Sequence, residues 1–351
     1  MNSVVQNQSL PDPLIFSDGT SVSTSSEWRV RRAELLEMIQ TIEYGHLPPP
    51  PEKVIAYPLH TFSLTPDHSV QATQYRLTMV PSGFTFLVTV VLPPVGCTPS
   101  PVIIDGDGCW RYLTDEILLA AVQRGYAVAY FNRVEIVPDN NTSARDAGLY
   151  LVYPDGNFGA LAAWAWGYHR VIDFVQTMDS IDASRIIVTG HSRGGKAALL
   201  AGVTDERIVI TVPNNSGSGG AASHRYADDN GERLCDTVKN FPYWFAEKLR
   251  DYVGREMELP FDQHSVIALL APRAVLCTEA RADIWASPHG TRQCFEAARE
   301  VFSFLGVEQR TGIVYREGGH SQLLCDWETL FDFADFQFDV TPPTRSFDMT
   351  P

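Results

Sequence analysis

Residues 186–202 read IIVTGHSRGGKAALLAG, and the fold of the chain is decided there. Ile186, Ile187 and Val188 form a β-branched run of the kind that makes a strand buried on both faces. The small residues that follow from about Arg193 suit a helix packed close to its neighbours. Between the two, Gly190, Ser192 and Gly194 fit G-x-S-x-G. In that turn a serine joins strand to helix in a strained backbone, with its hydroxyl projecting above the sheet. Glycine is needed on either side because a Cβ would crowd the turn. The helix beneath offers its unpaired N-terminal N–H groups to a developing oxyanion. The five-letter pattern alone also describes an ordinary turn with a surface serine. The strand before it and the helix after it are what favour a nucleophile.

On either side of this stretch, strands and helices alternate. Residues 102–104, 126–131, 208–212, 274–277 and 312–315 read as short buried strands. Residues 113–123, 244–252, 265–270, 294–302 and 327–338 read as helices. Residues 160–178 form an amphipathic helix, with Leu161, Trp164, Tyr168, Val171, Val175 and Met178 three or four apart. Such alternation predicts a mostly parallel sheet covered on both faces. Further upstream, residues 53–92 are richer in β-formers, with 75–80 and 86–92 as antiparallel strands at one edge. Thr24-Ser25-Ser26-Glu27 has the form of a capping box, and the helix it opens runs to Tyr44, stopped by Gly45 and the prolines at 48–51. Residues 1–24 are expected as an extended arm and 25–345 as a single domain. The long loop over 132–158 is a candidate functional segment.

Composition excludes several classes of function. With 351 residues, 44% hydrophobic and 20% charged, the chain can bury a sizeable core. A net charge of −15 argues against nucleic acid and against anionic membranes, since both need a basic face. The six cysteines (Cys97, Cys109, Cys235, Cys277, Cys294, Cys325) contain no C-x-x-C pair, so a zinc site is not expected; their spacing reveals no disulfide framework, and Cys277 is expected as a buried thiol. No stretch has transmembrane length, and residues 1–13 lack the basic and apolar regions of a signal peptide. On the sequence as it stands the expectation is a cytoplasmic protein, or a secreted one whose leader has been removed.

A serine needs a base to take its proton, and the base needs a third group to orient it. In an α/β-hydrolase arrangement the chain order is serine, acid, histidine. His320, in Glu317-Gly318-Gly319-His320, follows the last strand and is the expected base. His264 and His289 sit at helix starts. Asp283 lies a few residues beyond the strand ending near Cys277 and is the expected acid, with Glu279, closer to the strand end, as its rival. Arg193 and Lys196 fall on the first turn of the elbow helix. Cations are disfavoured at that end by the helix dipole, so their presence suggests that a negative charge must be met at the mouth of the site.

Five stretches carry a family resemblance: GHSRGGKAAL (190–199), NSGSGGAASHR (215–225), FPYWF (241–245), LPFDQHSVIALLAPR (259–273) and GALAAWAWGYHRVID (159–173). Together they resemble the carbohydrate esterase family of glucuronoyl esterases, over nearly the whole chain. The resemblance implies an α/β-hydrolase three-layer sandwich with antiparallel edge strands and a serine mechanism without metal or cofactor. It also implies a substrate in which xylan-borne (4-O-methyl) glucuronic acid is esterified to a lignin alcohol. Carried over by position, Ser192 is the nucleophile and His320 the base. Arg193 meets the oxyanion, and Lys196 and Trp285 hold the sugar, with Glu232 near a further sugar contact. Many members carry a catalytic glutamate just before S-G-S-G-G, where this chain has Asn215; an amide cannot steady an imidazolium, which strengthens Asp283. The cysteines of fungal members are absent at His191 and in Ser223-His224-Arg225. Two alternatives stand beside this expectation: another serine esterase on the same scaffold, such as an acetyl xylan esterase, and a catalytically silent sugar-binding relative.

Overall fold

The computed structural model of the chain describes residues 10–94, 99–110, 112–140 and 145–351. Cys97 and part of the 132–158 loop lie outside the described residues, as do the first nine residues of the arm. Among the described residues the strands are β1 (Lys53–Ser63), β2 (Gln71–Val80), β3 (Thr85–Val91), β4 (Ser100–Asp105), β5 (Ala127–Phe131), β6 (Ile181–His191), β7 (Ile208–Asn214), β8 (Ala274–Ala280) and β9 (Thr311–Arg316). They make one sheet in the order β1-β2-β3-β5-β4-β6-β7-β8-β9. Pairing is antiparallel from β1 through β3 to β5 and parallel from β5 onward. The helices are α1 (Ser25–Ile39), α2 (Asp115–Gln123), α3 (Leu149–Val152), α4 (Ala160–Val175), α5 (Arg193–Thr204), α6 (Leu234–Asn240), α7 (Gln263–Ala268), α8 (Pro288–Phe304) and α9 (Leu324–Gln337).

The central strands are apolar on both sides because both sides are covered. Ile103 pairs with Ile187, and Ile187 with Ile210, so these three fall in one row. That row packs under α2 and α9, with Leu118, Val122, Trp327 and Phe331. Ile104 and Val188 point the other way, into the larger core beneath α1, α4, α5, α7 and α8. β5 lies on one side of β4 and β6 on the other, so the winding of the sheet reverses there. The crevice outside the carboxyl ends of β4 and β6 is where an open α/β sheet binds its ligands.

Two sequence expectations need correction. The α4 segment, though its apolar stripe is as expected, turns no polar face to solvent: every residue except Asp173 is buried. Its outer face is roofed by loops, with Trp164 Nε1 donating to Val137 O at 3.1 Å and Trp166 Nε1 to Pro49 O at 3.1 Å. Apolar spacing alone could not register this roof. Residues 244–252 are not one helix; only Glu247–Tyr252 turn, as a 3-10 helix. The Thr24–Glu27 capping box is formed, and α1 continues into a π-helix over Gln40–Tyr44 before Gly45 stops it at φ 79°. The arm from residue 10 is docked rather than free, through Arg31 Nε to Pro13 O at 3.3 Å and His264 Nε2 to Pro11 O at 2.6 Å. The described part of the 132–158 loop contains α3 and a 3-10 turn over Arg133–Glu135. Cys109, Cys235, Cys277, Cys294 and Cys325 are free thiols, and Cys277 is buried. No helix among the described residues is long and apolar enough to cross a membrane.

Candidate active site

Ser192 sits at the top of β6 with φ 56° and ψ −123°, and α5 begins at the next residue. The strain is held by close approach on both sides. A Cβ on Gly190 would lie 2.5 Å from the Gly194 carbonyl oxygen, and one on Gly194 would lie 2.2 Å from Asp107 Oδ1. Asp107, in the turn after β4, accepts the His191 N–H at 2.6 Å and pairs with the buried Arg133. Burial pushes the Asp107 carboxyl up, and Arg133 works against that. The stretch Asp105-Gly106-Asp107-Gly108 has the composition of a turn; that its second aspartate braces the elbow is visible only once β4 and β6 are neighbours.

His320 Nε2 lies 2.9 Å from Ser192 Oγ, and His320 Nδ1 lies 2.6 Å from Asp283 Oδ2. An ionised carboxylate can only accept, so Nδ1 carries the proton and Nε2 presents its lone pair to the serine hydroxyl. Asp283 is buried, while the His320 side chain is 40% exposed. The other Asp283 oxygen accepts the Ala286 N–H at 3.4 Å, which fixes the carboxylate as cap of a short 3-10 turn. The rival acid is oriented elsewhere. Glu279 is wholly buried inside β8, and burial, then the charge of Asp283, hold its carboxyl well above the usual range. His264 is engaged by Pro11, and His289 Nδ1 pairs with Asp228 at 2.8 Å. His191 packs on His320 with ring centroids 4.4 Å apart; burial, then His320, depress it to about 3, so it stays neutral.

The two cations beside the serine are already answered within the protein. Arg193 Nη1 donates to both oxygens of Asp139 at 3.2 and 3.0 Å, and its guanidinium lies 4.7 Å from the Trp244 ring and 4.8 Å from Phe241. Asp139 also receives the Tyr243 hydroxyl at 2.6 Å and Trp244 Nε1 at 3.2 Å. Lys196 is not at the mouth but buried, 2% exposed, with Nζ donating to Glu232 Oε2 at 3.0 Å and to Ser218 O. Burial lowers its pKa and Glu232 opposes the fall. Glu232 N donates to Trp285 O at 2.9 Å, and the Trp285 side chain stands 46% exposed. Asp139 sits in the long loop, more than fifty residues before Arg193; the loop's length marked the segment, but nothing in the sequence singled out this residue. Among the described residues no group of three or more His, Cys, Asp or Glu side chains is placed to hold a metal ion.

Comparison with known proteins gives the family. A family profile described as "Glucuronyl esterase, fungi" matches residues 78–306. A 4-O-methyl-glucuronoyl methylesterase from Wolfiporia cocos is 34% identical over 344 residues, covering 95% of this chain and 80% of the relative. The chain belongs to the glucuronoyl esterase family. A solved family 15 carbohydrate esterase, the glucuronoyl esterase from Caldicellulosiruptor kristjansonii, superposes with a TM-score of 0.84 at 34% identity, over 97% of this chain and 93% of that one. A glucuronoyl esterase from Sporotrichum thermophile, solved in complex with methyl 4-O-methyl-β-D-glucopyranuronate, has a TM-score of 0.80 at 26% identity, over 98% and 92%.

Within this family member Asn215 is placed as a brace. It adopts φ 42°, its Oδ1 accepts the Ala280 N–H at 2.7 Å, and its Nδ2 donates to Ser321 O at 3.1 Å. It thereby joins the end of β8, which leads to Asp283, to the segment carrying His320.

Proposed function

We propose that the protein is a serine esterase that hydrolyses the ester between a (4-O-methyl) glucuronoyl group of xylan and an alcohol of lignin. The observation that carries this is the unbroken hydrogen-bonded chain Ser192–His320–Asp283 in a member of the glucuronoyl esterase family. Ser192 Oγ attacks the uronoyl carbonyl as its proton passes to His320 Nε2, and Asp283 steadies the imidazolium. The Arg193 N–H at the start of α5 and the Arg193 side chain meet the oxyanion, where one lost donor costs about 2.7–4 kcal/mol. The tetrahedral intermediate collapses, and the alcohol leaves with the proton from Nε2. Water, with His320 again as base, then releases glucuronate from the acyl-enzyme. The buried Lys196 and Glu232 and the exposed Trp285 hold the sugar.

The test is a panel of esters at matched concentration: benzyl glucuronate, benzyl galacturonate and acetylated xylan. The glucuronate ester is expected to release free uronic acid at least about tenfold faster than acetyl groups are removed, because hydrogen-bonding groups fitted to the sugar discriminate strongly. Rapid acetyl release with an untouched glucuronate ester would overturn the assignment in favour of an acetyl esterase.

A further inference from the structure

The geometry points to Arg316 as the positioning residue that sets the reach of His320, by gathering the backbone of residues 317–321 around a single guanidinium. This inference rests on His320 being the base, as proposed above. Arg316 is the last residue of β9, and the segment beyond it turns back over its own side chain. Nε donates to Asp326 Oδ1 at 3.0 Å and to Oδ2 at 2.9 Å. Nη1 donates to Glu317 O at 3.0 Å, while Nη2 donates to Gly319 O at 3.2 Å and to Ser321 O. The carbonyls on both sides of His320 are therefore tied to one planar group.

That group is itself fixed. Its side chain is 12% exposed and its partner Asp326 only 4%, and Asp326 Oδ2 also accepts the Leu323 N–H at 2.8 Å at the start of α9. Burial raises the Asp326 carboxyl and Arg316 opposes the rise. Two further links run to the acid side of the site. Ala282 N donates to Gly318 O at 3.0 Å, and Asn215 Nδ2 shares Ser321 O with Arg316. Gly318 takes φ 98°, which lets the chain fold back, and a Cβ there would meet Arg316 Nη1 at 3.2 Å.

A loop with two adjacent glycines has many conformations in isolation, so a proton-transfer distance of 2.9 Å to Ser192 needs an external restraint. The guanidinium supplies it because its donors lie in a rigid fork. A lysine has one nitrogen and cannot hold Asp326 and three carbonyls at once.

The experiment compares wild type, Arg316→Lys and Asn215→Ala by three measurements. These are kcat and KM on benzyl glucuronate per active site titrated with a fluorophosphonate, the rate constant of fluorophosphonate inactivation, and the thermal midpoint. For Arg316→Lys, kcat and the inactivation rate are expected to fall together by about tenfold to hundredfold, as for an ångström-scale misplacement of a base. KM is expected to stay within about twofold, since no sugar contact is touched. Asn215→Ala, which removes one strut of several, is expected to show the same split at smaller size. Should Arg316→Lys fail to fold, Asp326→Asn, which keeps the partner's shape but loosens its hold on the Arg316 guanidinium, is read by the same three measurements and decides. A lowered thermal midpoint with unchanged kcat and inactivation rate per titrated site would overturn the inference and leave a structural role. A wild type that reacts with the fluorophosphonate but leaves the glucuronate ester intact would instead overturn the substrate assignment, and the inactivation rates would still test Arg316.

Discussion

At the scale of single residues, two carboxyl groups four positions apart have opposite fates. Asp283 holds His320 Nδ1 at 2.6 Å, whereas Glu279 is wholly buried and held toward its neutral form. Asp283→Asn is expected to lower kcat by about 10⁴-fold, the loss that follows when the orienting carboxylate of such a triad becomes an amide. Glu279→Gln is expected to stay within a few-fold of wild type, and steady-state kinetics on one ester substrate compares the two. Glu279 also predicts a pH effect on stability. Its folded pKa is raised above the ordinary value of 4.5, so above that pH the native state binds more protons than the unfolded chain. By linkage its contribution is fully present below about 4.5 and is lost as pH rises toward the folded pKa. Denaturant unfolding at pH 5 and pH 8 should therefore show Glu279→Gln gaining on wild type at the higher pH. A constant difference would mean that Glu279 is ionised in the fold. Sequence alone held both acids open because the expected strand ended at Cys277, with both acids beyond it; β8 runs on to Ala280 and carries Glu279 inside it, which leaves Asp283 in the turn that follows.

Among the elements, the strand–turn–helix around Ser192 was legible at once, because its glycines and its apolar run are local signals. What braces it was not. Asp107 arrives from β4, Asp139 from the long loop and Asn215 from the end of β7, and each acts through a contact that sequence spacing does not encode. The same holds for α4, whose apolar stripe was plain while the loops roofing its other face were not. Gly194→Ala tests the brace directly. Its Cβ would sit 2.2 Å from Asp107 Oδ1, so the carboxylate that accepts the His191 N–H must move. A loss of about 1–3 kcal/mol in denaturant unfolding is expected, as for overpacking of a tight interior, together with a lower kcat. Wild-type stability and turnover in this variant would mean that Asp107 does not hold the turn.

Across the whole molecule, the mostly parallel sheet was readable from alternating strands and helices, and the edge strands from the β-rich stretch over 53–92. The reversal between β4 and β6 that places the site was not, since it depends on where β5 returns. Electrostatics changes in the same passage from sequence to fold. Arg193 and Lys196 suggested an anion to be met from outside, but Asp139 and Glu232 meet them from within. With a net charge of −15 the protein as a whole offers little long-range attraction to an acid product. A neutral ester bound by fitted hydrogen bonds, and an anionic product that leaves, suit such a surface. All of this depends on one serine relaying its proton through one imidazole. The most direct test is the turnover of benzyl glucuronate by wild type and by Ser192→Ala, with both proteins shown to be folded. Hydrolysis by wild type and a loss of at least about 10⁴-fold in kcat for the variant are expected; comparable turnover by the two proteins would rule out Ser192 as the nucleophile.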